Sequence, residues 1–76
     1  MPHQARYALL ADGPSEGEVV EIVPGQMEFT RTERLDFNEG HTIVVDHYRY
    51  HGATGNDPDT VVFEFVRQEA RTSSDR

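Results

Sequence analysis

The residues that most readily suggest chemistry are Gly13-Pro14-Ser15-Glu16-Gly17, which match the G-x-S-x-G spacing of a serine nucleophile. That chemistry needs a strand running into a helix, so that the serine projects from a sharp turn beside an oxyanion hole. It also needs a histidine oriented by a carboxylate, on a far larger scaffold. Here the motif runs into Glu18 to Val23 (EVVEIV), a β-branched strand pattern, so a hairpin turn is expected instead. A phosphate loop is excluded on charge. Such loops open a helix and usually carry a lysine, whereas Asp12, Glu16 and Glu18 surround these glycines.

His41, His47 and His51 share odd parity and are the candidates for a metal or ligand site. On one strand, His47 and His51 would stand about 13 Å apart. A Zn–N bond is about 2.0–2.1 Å, so ligands would have to come from other strands or a second subunit. Histidines on a half-exposed sheet are the expectation, with no metal and no cofactor. Asp46 beside His47 suggests an acid/base pair, yet consecutive strand residues point to opposite faces. Asn56, Asp57 and Asp59 offer three loop oxygens where calcium takes about six to eight. Tyr48 and Tyr50 could stack on nucleic-acid bases, but that function wants a positive groove, and Arg49 lies on the other parity. Core or protein-contact tyrosines are expected. No catalytic residue is assigned, and the chain is not expected to be an enzyme.

The elements that position these residues are extended. Thr42 to Tyr50 (TIVVDHYRY) and Thr60 to Val66 (TVVFEFV) are dense in β-branched and aromatic types, with the turn-rich HGATGNDPD between them. They read as a β-hairpin. Arg6 to Ala11 and Glu18 to Val23 read as a second one, joined by the DGPSEG turn. Between the hairpins, Met27, Phe29, Leu35 and Phe37 alternate with polar residues, which argues for a strand. Thr30 and Glu33 fit a capping box, so a short helix over residues 31–38 is the rival. The fold class is therefore all-β, or β-dominated with one short helix. The architecture is a single small twisted antiparallel sheet, or partly open barrel, of about five strands. Residues 1–5 are expected to be a flexible lead, 6–67 the β-rich domain, and 68–76 a frayed polar tail.

Neither long strand is cleanly amphipathic, since apolar residues lie on both parities. Strands of that kind sit inside a sandwich or barrel, or under a partner. Val44, Tyr48, Tyr50, Val62 and Val66 are therefore the protein-interface candidates, and a homodimer is predicted.

With 76 residues there is room for one domain, and without cysteine there is neither a disulfide nor a thiolate metal site. Fourteen acidic residues face seven basic ones, all arginine, for a net charge of −7. Such a surface repels nucleic acid and anionic lipid, and neither is an expected partner. YALLA is far short of the roughly 7–15 apolar residues of a signal peptide, so a cytoplasmic location is expected. The lack of lysine points to a GC-rich genome, or else to a halophile.

Tyr7, Leu9, Gly13-Pro14, Gly17 and Val20 form a tyrosine-leucine strand running into a GPxxG turn. In this first quarter the chain resembles a group of small uncharacterised proteins of actinobacteria and their phages. Asp12 stands where that group more often has glycine, and Glu16 where aspartate is common. The resemblance implies a phage or prophage setting and a compact β fold, and it carries no catalytic residues. The expected function is a small acidic protein-interaction module that binds a host or viral protein. The alternative is a minor virion structural protein, a capsid decoration or tail accessory found in the particle. A weak metal- or ligand-binding module is the third.

Overall fold

The computed structural model describes residues 3–74. Five strands follow one another: β1 (Tyr7–Leu10), β2 (Val19–Glu21), β3 (Glu28–Phe37), β4 (Gly40–Ala53) and β5 (Thr60–Ser74). No helix lies among the described residues. The strands form one sheet in the order β2-β1-β5-β4-β3, curled into a half-barrel. The all-β fold class is as expected from the sequence.

Over residues 31–38 the alternating pattern prevails over the capping box. Every residue of β3 from Glu28 to Phe37 has a partner on β4, so a ten-residue ladder bonds one side of the strand where a helix over 31–38 could close only one or two turns. Three of the sheet's pairings are antiparallel, but β1 runs parallel to β5, which corrects the purely antiparallel expectation. With β4 on one edge of β5, the N-terminal hairpin docks on the other. The parallel sense sets Ala8 beside Val61 and Leu10 beside Phe63, all four buried.

Two further expectations are corrected. The segment 68–76 is not a frayed tail as far as it is described, because β5 continues to Ser74 and pairs with β4 as far as Gly40. Its polar residues form a strand because β4 is long enough to template them. The described part of the lead is also held in place. The His3 ring stacks on Tyr50 with centroids 5.1 Å apart, its Nε2 donates to the Gln26 carbonyl at 2.5 Å, and its Nδ1 accepts from the Ala5 N–H at 3.2 Å. That pattern fits the neutral ring protonated on Nε2. Ala5 is buried. Met1 and Pro2 fall outside the described residues.

The core lies on the concave, inner side of the sheet. Ala5, Ala8, Leu10, Ile22, Tyr48, Val61 and Phe63 form it, with Val20, Phe29, Tyr50 and Phe65 packed against it. Two register shifts, between His47 and Tyr48 and between Tyr50 and Gly52, bend the β4–β5 ribbon at this point. The turn after β1 closes over it. Phe65 N–H donates to Asp12 Oδ1 at 2.7 Å, and Gly13 lies so close that an added Cβ would sit 2.6 Å from the Phe65 ring.

Candidate protein-interaction surface

Past Asp46, toward the Asn38-Glu39 turn, β3, β4 and the end of β5 run on as a three-stranded arm. No apolar side chain of this arm is buried among the described residues. The molecule measures 50 × 20 × 17 Å, and its radius of gyration is 15.0 Å. A compact domain of this length would have about 11 Å. Five strands therefore build one core at the base and carry a ribbon away from it.

Period-two geometry gives the arm two different faces. On the inner face, Leu35 stands opposite Thr42 and Thr42 opposite Thr72, whose hydroxyls hydrogen-bond at 3.0 Å. Val44 lies between Glu33 and Ala70 on the same face, and Phe37 pairs with Gly40 at the tip. Leu35 and Phe37 are 48% and 49% exposed, less than Val19, Val23 and Met27 on the base, but they share one face of the arm. The outer face is mixed. Ile43 and Val45 line a shallow cleft of about 400 Å³ together with His47, Glu69, Arg71 and Ser73.

The inner face ends at a polar knot that holds the base shut. The Arg31 guanidinium on β3 makes a two-pronged ion pair with Glu18, just before β2, and also donates to Ser15 Oγ at 3.1 Å. Arg31 holds the Glu18 carboxyl below the usual carboxylate range, and Glu18 in turn raises the Arg31 guanidinium. Beside them, the buried Asp46 carboxylate accepts from Gln68 Nε2 at 2.8 Å. The G-x-S-x-G segment is thus the β1–β2 turn, and its serine faces an arginine.

The interface candidates do not form one surface. Tyr48 is 2% exposed and belongs to the core, wedged between Phe29 and Phe65, which removes it from the candidates. Tyr50 is half-buried under His3 and edge-on to Phe63, packed against the core from the inner face. Both point inward because the base of the half-barrel has no helix and needs their ring volume to fill it. Val44 lies on the arm's inner face. Val62 pairs beside Leu9 and Gly52 on the outer face. Val66, 42% exposed at the register shift, lines a groove with Thr30, His47, Arg49 and Arg67. Leu35 and Phe37 were the missed residues. Their alternation with charged neighbours was visible in sequence, but it could not show that the facing layer is missing.

The histidines are dispersed. His47 Nε2 lies 3.4 Å from Glu69 Oε1, an electrostatic contact rather than a hydrogen bond, and His51 Nδ1 lies 3.3 Å from Glu64 Oε2. Glu64 also takes Arg49 Nε at 2.5 Å. Among the described residues, no group of three or more histidine, aspartate or glutamate side chains is placed to hold a metal ion. In the 54–59 loop, Asp57 spends its carboxylate on the Asp59 N–H and the Thr60 hydroxyl, both at 2.9 Å.

No family model, curated protein or solved structure matches the chain.

Proposed function

We propose that the chain is a small, non-enzymatic protein-interaction module whose arm is the contact element. One observation carries this: a three-stranded ribbon projects from the core with Leu35 and Phe37 half-exposed at its tip. An isolated sheet of this kind gains little from its own burial, and a covered apolar face is what stabilises a ribbon. The partner is a host or viral protein. The phage setting rests on the Tyr7, Leu9 and Gly13-Pro14 resemblance. A net charge of −7 favours a partner with a basic rim around an apolar centre.

A photo-crosslinking side chain at position 37 tests the proposal, with a second at exposed Glu16 as control. A defined adduct from position 37, absent from position 16 and lost in L35S, supports it. Equal labelling from both positions counts against it. The second reading, a decoration or tail accessory protein of the virion, is favoured by the 50 Å length of the molecule. Mass spectrometry of purified particles separates the two.

A further inference from the structure

The arm has two open long edges, the outer side of β3 and, past the N-terminal hairpin, the far side of β5. The N-terminal hairpin covers β5 only at its start. Beyond Leu10, Ala11 N–H donates to the Phe63 carbonyl at 3.0 Å and Asp12 caps the Phe65 N–H, and there the cover stops. From Val66 to Ser74 no described strand lies along this side of β5. Nine residues without proline or lysine make a long edge to leave unpaired.

We infer that this edge pairs with itself: Val66–Ser74 of one molecule lies antiparallel to Val66–Ser74 of a second copy, about a two-fold axis through Ala70. The occupant follows from charge. Ala70 is the midpoint of the open segment, so this register uses all of it. It sets Glu69 of each copy opposite Arg71 of the other, twice over, on the outer face. Gln68 then faces Thr72, and Arg67 faces Ser73. Moving the axis to Glu69 or Arg71 sets like charges opposite each other, which destabilises a strand pair. Within one molecule Glu69 already has cationic neighbours. Arg67 Nε donates to it at 3.0 Å, and Arg67, His47 and Arg71 together hold its carboxyl below the usual range.

Edge pairing would join the two sheets into one, with both inner faces on the same side and the two cores at opposite ends. This goes beyond the function proposed above and does not depend on a foreign partner.

Sedimentation of the purified protein and two charge variants tests it. Wild type is expected to sediment as a dimer. R71E and E69R each set like charges across the axis twice, and each is expected to weaken self-association at least tenfold. An equimolar mixture of the two restores both opposite-charge pairs and should sediment as a heterodimer, which also shows that the variants are folded. A wild-type monomer at millimolar concentration overturns the inference. So does a dimer that neither variant weakens, or a mixture that stays monomeric. The crosslink from position 37 to a foreign protein is unaffected by any of these outcomes.

Discussion

Glu18 and Arg31 join the two opposite edges of the sheet: Glu18 leads into β2, Arg31 sits inside β3, and their ion pair spans the mouth of the half-barrel. Among the described residues no backbone ladder connects these edges, so side chains tie them. His3 adds a second tie, stacked on Tyr50 and bonded to Gln26. Because Glu18 ionises more readily in the folded state, it binds fewer protons there than in the unfolded chain. Its contribution is present above the unfolded carboxylate pKa of about 4.3 and lost as pH falls through the lower folded value. Glu69, lowered by Arg67, acts with the same sign. Thermal melts should show the midpoint falling in acid, with a shallower fall in E18Q.

Gly13 and Gly17 both have positive φ, +79° and +87°, but only Gly13 has a neighbour in the way. Alanine at position 17 meets open space and should cost only the backbone term, roughly 1–2 kcal/mol. Alanine at position 13 adds a collision with the Phe65 ring and should cost about 3 kcal/mol or more. Urea midpoints of the two variants measure the difference.

Phe63 is fully buried between the N-terminal hairpin and Tyr50. Phe63→Ala should cost about 3–5 kcal/mol. The whole chain has roughly 4–11 kcal/mol to lose. That is a third or more of the total over most of this range, so the urea midpoint of the variant is expected to fall steeply.

The Tyr48 hydroxyl is buried and has no hydrogen-bond partner among the described residues. Removing it deletes a desolvated polar group while keeping the ring that packs on Phe29 and Phe65. Tyr48→Phe should therefore be neutral or stabilising by up to about 1 kcal/mol, against the usual loss at a core site. Chemical denaturation reads it directly.

At the tip the effects should dissociate. Phe37→Ser lies away from the core and should change stability by no more than about 0.5 kcal/mol. Its partner binding, measured by calorimetry once the crosslinked protein is known, should fall at least tenfold.

Composition and alternation determined a good deal of this protein. The β-branched runs Glu18 to Val23, Thr42 to Tyr50 and Thr60 to Val66 each fall in or over a strand, and the glycine and proline clusters lie between them. The turn reading of Gly13 to Gly17 followed from what comes after it. These are local facts, set by backbone preference and by which side chains fit a pleated surface. Tertiary structure decided the rest. The polar stretch from Gln68 to Ser74 has no strand signal of its own and becomes one because β4 offers a ladder along its whole length. Likewise Tyr48 and Tyr50 could have faced either way. They point inward because the half-barrel closes at that level and not farther out, where Leu35 and Phe37, equally apolar, meet no opposing layer. A sequence states which side chains share a face; only the curl of the sheet determines whether that face is covered.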